Sequence, residues 1–90
     1  MIIEWNEEKA RENVREHGVN LHEAASVFGD PLAMTFADPE HSTAEQRHLT
    51  FGVTRFGQSV VVSHADYGER VRIISARIMT RSEKRIYEEG

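Results

Sequence analysis

The side chains best suited to chemistry gather late in the sequence, in Arg70-Val71-Arg72-Ile73-Ile74-Ser75-Ala76-Arg77, with Arg81 and Arg85 following. In an extended strand successive side chains alternate faces, so Arg70 and Arg72 stand side by side while Val71 and Ile73 turn the other way. Arg77 has the opposite parity, and a strand ending near Ala76 leaves its direction open. Arg81 falls in the first turn of a following helix, and Arg85 lies one turn on, on the same face. Like charges this close repel unless an anion or carboxylates neutralise them. Two arrangements meet that need. One is a phosphate site, where the N–H groups of the helix start add to the guanidinium forks. The other is a set of surface ion pairs with Glu69, Glu83 and an acidic first helix.

Glu45 and Arg47 share a face if the chain is extended there, which suits a general base beside a phosphate ligand and equally suits a salt bridge. Among the five histidines, His17 and His22 are separated by a helix break, and no zincin spacing occurs. A metal site is therefore not expected. His41, His48 and His64 are candidates for proton transfer near neutral pH, with a structural role as the alternative for each. His17, just before Gly18, suits its helix C-terminus. Cysteine is absent, which removes disulfides, thiolate metal sites and cysteine nucleophiles. No Ser/His/Asp motif, Walker loop or dinucleotide fingerprint is present.

Those side chains must be held by few elements. Ninety residues, 39% hydrophobic and 29% charged, suit one small soluble domain over residues 1–90. No stretch has the length and apolarity of a membrane span, and the first ten residues lack the core of a signal peptide, so a cytoplasmic protein is expected. The net charge of -4 looks unfavourable for binding nucleic acid, but it is unevenly spread. Residues 1–45 carry three basic and ten acidic side chains, whereas 46–90 carry eight and five.

Asn6 caps a helix that bears Ala10, Val14 and His17 at helical spacing and ends at Gly18. Asn20 and Glu23 have capping-box spacing for a second helix, through Val27 and Phe28 to Gly29-Asp30-Pro31, with Val19 packing on Ala24. Strands follow at Leu32–Phe36, Arg47–Val53, Ser59–Ala65 and Arg70–Arg77, with hairpin glycines at Gly57 and Gly68. Thr80 and Glu83 then box the start of a closing helix through Tyr87. With Met1–Trp5 as an edge strand, the order is β-α-α-β-β-β-β-α. The expected fold class is α+β, an antiparallel sheet packed by two N-terminal helices and a C-terminal helix, with Leu49, Phe51, Val60, Val62, Ile73 and Ile74 in the core.

Several segments together resemble the BrnT family of bacterial type II toxins, small ribonucleases with a RelE-like fold. They are Trp5-Asn6-Glu7-Glu8-Lys9 with Asn13, His17-Gly18-Val19, Glu23-Ala24, Val27-Phe28, Asp30-Pro31, His41-Ser42, Glu45, Arg47, Gly52 and Gly57. Arg72 to Arg77, Thr80, Glu83-Lys84-Arg85 and Tyr87 complete the series. Glu16 and Gln58 depart from it, each removing positive charge. The resemblance implies RNA cleavage without metal or cofactor, inhibition of translation, and neutralisation by a BrnA-type antitoxin through which a larger complex binds operator DNA. It points to Arg72, Arg77 and Arg81 for phosphate stabilisation, to Arg47 for a further phosphate contact, and to Glu45 as the leading candidate for the general base. Lys9, His17 and Tyr87 are weaker candidates for substrate contact. The competing expectation is a module without turnover that holds an acidic partner on the same basic strand. A DNA-binding role fits less well, because the first two helices carry mostly acid.

Overall fold

Capping chemistry fixes where each helix begins and ends. In the computed structural model, which describes residues 1–42 and 44–90, the Asn6 side chain accepts from the Glu8 and Lys9 amides, starting helix α1 (Glu7–His17). Gly18 closes it at φ 67°, where a β-carbon would be strained. Asn20 caps α2 (Leu21–Ala24) in the same way, and a 3-10 segment continues from Ala25–Gly29. Glu23 does not return to the Asn20 backbone; it accepts from Thr54 Oγ1 at 2.9 Å. Thr80 and Glu83 do form the reciprocal box that opens α3 (Arg81–Glu89).

The strands are β1 (Ile2–Glu4), β2 (Met34–Ala37), β3 (Arg47–Val53), β4 (Ser59–Tyr67) and β5 (Arg70–Ile78), in the spatial order β1-β5-β4-β3-β2. The fold is α+β. From β2 to β5 the sheet is an antiparallel meander. β1 joins parallel beside β5, so the sheet is mixed, because the two helices carry the chain from β1 to the opposite edge before the meander begins.

One face of the sheet receives α1, α2 and the 3-10 segment. Val19, Leu21, Ala24 and Val27 pack there against Val60, Val62, Ile73 and Ala76, all at most 2% exposed. Gly52 lies below this layer, and a β-carbon on it would come 3.0 Å from Val27 Cβ. The apolar stripe expected on α1 is only partly used: Val14 is 48% exposed and His17 lies at the surface. The buried residue of α1 is Asn13. Its amide donates to Val19 O at 2.8 Å and Ala76 O at 2.9 Å, and its Oδ1 accepts from Ala76 N at 3.0 Å. An amide thus docks the helix onto β5.

The other face is more open. Leu49, Phe51 and Ile74, expected in the core, are half-buried there or at its margin. Met34, Phe36, Leu49 and Phe51 line an apolar groove with Ile86 of α3. Tyr87 tethers α3 to the far corner of the fold by donating to Asp30 Oδ2 at 2.5 Å. Asp30 also accepts from the Leu32 and Val53 amides.

Candidate active site on the open sheet face

Strand register decides which arginines meet. Arg72 and Arg47 both lie opposite Ala65 of β4, from its two sides, and Arg70 lies opposite Tyr67. These residues share the open face. Arg77, five positions beyond Arg72, would face the helices in a regular strand. A bulge intervenes: His64 pairs with Ile73 but Ser63 pairs with Ser75, which leaves Ile74 as the extra residue. Parity flips, and Arg77 emerges opposite Val61 on the same face as Arg72. Asn13 bonds both the N–H and the C=O of Ala76 just past this bulge, so the helix that docks on one face holds the register that presents Arg77 on the other.

The strand arginines carry carboxylate partners. Arg70 donates to Glu4 at 2.8 and 3.3 Å. Glu45 accepts from Arg47 Nε at 3.0 Å and from Arg72 Nη2 at 2.9 and 3.0 Å. It also accepts from the Tyr67 hydroxyl, whose ring lies under the Arg72 guanidinium with Cζ 5.6 Å from its centroid. The Tyr67 and Arg47 hydrogen bonds hold the Glu45 carboxyl below its usual range, and the same contact raises the Tyr67 phenol. Arg77 makes a two-pronged pair with Glu83, at 2.7 and 2.9 Å. That pair, with the Thr80 backbone, holds Glu83 at about 2. The need for neutralisation is therefore met by Glu4, Glu45 and Glu83 rather than by Glu69 or α1. Arg81 and Arg85 are exposed on α3 and have no ion-pair partner among the described residues.

Beside Arg47 and Arg77 lies a concavity of about 450 Å³, which Asp38, His41, Ser63 and Ser75 also line. A short 3-10 turn (Pro39–His41) carries His41, whose Nδ1 lies 2.8 Å from Asp38 Oδ2. The turn is stitched to β3: Ser42 Oγ donates to Asp38 O at 2.7 Å and accepts from Arg47 N at 2.9 Å. Asp38 thus fixes the proton on His41 Nδ1 and leaves Nε2 as the basic nitrogen. His41 is 62% exposed at its side chain and Asp38 only 15%. This is the pattern of an accessible imidazole oriented by a shielded carboxylate.

Of the residues singled out from sequence, the fold gathers Glu45, Arg47, Arg72 and Arg77. Arg81 stands on the helix whose Glu83 holds Arg77. Lys9 and His17 are on α1, across the sheet, with His17 3.9 Å from Glu16. Tyr87 is engaged with Asp30. Sequence reading missed Tyr67, which lies in what looks like turn sequence, and the pairing of His41 with Asp38. The Asp-x-x-His spacing ahead of Ser42 was the available signal for the latter. Among the described residues one group has the spacing to hold a metal, His48, His64 and Asp66, on the helical face.

Comparisons with known proteins agree with this architecture. A family model described as "Ribonuclease toxin, BrnT, of type II toxin-antitoxin system" matches residues 5–83. The crystal structure of the Brucella abortus ribonuclease toxin BrnT is similar, with a TM-score of 0.68 at 21% sequence identity, over 90% of this chain and 99% of that one. No match was found among curated proteins.

Proposed function

The chain belongs to the BrnT family of ribonuclease toxins of type II toxin-antitoxin systems, with the RelE-like α+β fold, and on that premise we propose that its open arginine face binds and cleaves RNA. The observation that carries this reading is the convergence of Arg47 and Arg77 with an Asp38-oriented His41 around one concave surface, with Arg72 on the same sheet face beside Arg47.

In metal-independent RNA cleavage the ribose 2'-oxygen loses its proton and bonds to the adjacent phosphorus. The bond from phosphorus to the 5'-oxygen breaks, and that oxygen takes up a proton. Extra negative charge develops on the non-bridging oxygens. In this proposal Arg77 and Arg47 receive it: Arg47 engages Glu45 through Nε, and its terminal nitrogens have no hydrogen-bond partner among the described residues. A phosphate reaching Arg77 competes with Glu83 for the same fork.

Glu45 is the candidate base by resemblance, but its surroundings suit another task. A carboxylate that accepts from three side chains and is held below its usual range attracts protons weakly. In this proposal Glu45 is a positioning residue that fixes Arg47 and Arg72, and His41 Nε2 takes the 2'-proton. Arg81 extends the phosphate track along α3. Lys9, His17 and Tyr87 fall outside the reaction centre.

The biological consequence proposed is inhibition of translation, relieved when a BrnA-type antitoxin covers this face. The apolar groove between α3 and the β2–β3 edge gives such a partner somewhere to bury side chains beside the arginines. Operator DNA would be contacted through that partner. A second reading, a binding module without turnover, draws support from the carboxylate already on each strand arginine. Incubating partner-free protein with RNA in chelator separates the two. The toxin reading expects cleavage that His41→Ala and Arg77→Ala each reduce by about 10²-fold or more. Intact RNA, or full cleavage by both variants, would overturn it.

A further inference from the structure

On the helical face, at the open rim beside Phe28, three potential ligands meet with no part in the arginine site. His48 and His64 are directly opposed on β3 and β4, and their rings stack with centroids 5.7 Å apart. Asp66, two residues beyond His64, points the same way. One ligand atom from each lies within 4.8 Å of the other two.

The state of each nitrogen matters. His64 is 2% exposed, with Nδ1 2.6 Å from Asp66 Oδ1 and Nε2 2.7 Å from Thr50 Oγ1. Thr50 in turn shares a hydrogen bond with Thr35 at 2.8 Å. His48 differs. Its Nδ1 is buried and is the one such side-chain atom without a hydrogen-bond partner among the described residues, although Asp66 Oδ2 is 3.5 Å away. Burying a polar nitrogen unpaired is unfavourable. Here that nitrogen faces a carboxylate oxygen at about the separation of two ligands on one tetrahedral ion, whose bonds are each about 2.0–2.2 Å.

We propose that His48 Nδ1, His64 Nδ1 and an Asp66 carboxylate oxygen form a binding site for a late first-row divalent cation, best matched to Zn²⁺ with solvent as fourth ligand. Two imidazoles and a carboxylate suit that class of ion. His64 reaches the required tautomer by moving its proton to Nε2, where the Thr50 hydroxyl accepts it. Thr50 is then the outer partner that fixes the ring, as hydrogen-bonded residues behind metal-bound histidines commonly do. Asp66 exchanges its hydrogen bond with His64 for a bond to the ion. Access is from solvent, since the side chains of His48 and Asp66 are 22% and 36% exposed. The ion would clamp β3 to β4 on the face opposite the arginines. The proposal is independent of RNA cleavage.

The test is titration of the full-length protein with Zn²⁺ alone by calorimetry, and with Co²⁺ while following its visible absorption. One ion per chain is expected, with affinity lowered at least about 100-fold by His48→Ala and by Asp66→Asn and unchanged by His41→Ala. Imidazole NMR signals of His48 and His64 in the unsubstituted protein should shift on adding Zn²⁺ while those of His17, His22 and His41 stay in place, a readout that needs no variant to fold. Absence of binding, equal affinity in His48→Ala, or shifts confined to the other histidines would each overturn the proposal.

Discussion

Replacing Asn13 by alanine tests whether an amide holds the helical layer to the sheet and thereby fixes the arginine register. The variant removes three buried hydrogen bonds, to Val19 O, Ala76 O and from Ala76 N, each with a net value of about 1 kcal/mol. It also strands the Ala76 N–H in the core, at a further cost of about 1–3 kcal/mol. Alanine is the better helix former and returns about half a kcal/mol. The expected loss is about 3.5–5.5 kcal/mol, a large part of the roughly 5–13 kcal/mol available to a domain of this size. Urea unfolding at 25 °C, followed by Trp5 fluorescence, measures it, and the melting temperature should fall by more than about 12 °C. Asn13→Asp should be at least as damaging, because a carboxylate still accepts from Ala76 N but confronts two carbonyl oxygens at the distances where Asn13 donates. A loss below about 1 kcal/mol in both variants would refute the reasoning and leave apolar packing as what seats α1.

Four further outcomes follow from the same geometry. Glu83 is held at about 2 by Arg77 and the Thr80 backbone, so its stabilisation is complete above its unfolded pKa of about 4.3 and is lost as pH falls through about 2; Glu83→Gln should flatten that part of an acid unfolding curve. Tyr87 is raised to about 12 by Asp30, so its contribution is complete below about pH 10 and disappears as pH rises toward 12; Tyr87→Phe should remove that alkaline loss in a pH series of thermal melts. Gly52→Ala should destabilise by about 1–3 kcal/mol in denaturant, since its new methyl meets Val27 Cβ at 3.0 Å in a filled core. In RNA cleavage, Glu45→Gln should retain more turnover than His41→Ala, and the reverse order would return the proton-accepting role to Glu45.

Local chemistry was the legible part. Asn6, Asn20 and Gly18 cap as their types imply and the Thr80–Glu83 box closes as its spacing implies, because each acts within four residues of itself, whereas the box spaced at Asn20 and Glu23 stays open because Glu23 is taken by Thr54, 31 positions on. The meander was readable from alternating patterns and from Gly57 and Gly68, at φ 85° and 66°. What spacing could not fix depends on partners distant in sequence. Arg77 faces the same way as Arg72 only because of the bulge at Ile74, and the residues that brace it, Asn13 and Ala76, are 63 positions apart. Parallel pairing of β1 leaves no mark in a three-residue strand. Val14 continues the helical stripe yet stays exposed, since the sheet beneath α1 is engaged by Asn13. Glu45 and Arg47 were readable as neighbours, whereas Tyr67 joins them because β4 runs two residues past Ala65.

The distribution of charge makes a last prediction about how an acidic protein addresses RNA. The acid of α1 and the arginines lie on opposite faces of one sheet, in a molecule whose extents are 32, 26 and 24 Å. At physiological ionic strength the screening length is about 8 Å, so RNA on the open face is insulated from the acidic helices. At about 0.01 M salt the length grows to about 30 Å, comparable with the whole protein, so the same RNA feels the full excess of acid, including the carboxylates of Glu7, Glu8, Glu12 and Glu16 on α1. Lowering salt strengthens ordinary phosphate binding steadily, with a slope of about 0.7 per phosphate neutralised on single strands. Here the gain should flatten at low salt, because the net charge of -4 is felt only there. Binding of a short, non-cleavable RNA across a salt series by fluorescence anisotropy gives the curve. Replacing Glu8, Glu12 and Glu16 of α1 by glutamine should straighten it at the low-salt end while leaving affinity near 0.15 M almost unchanged. A uniform gain at every salt concentration would mean that the two faces are not electrically separated.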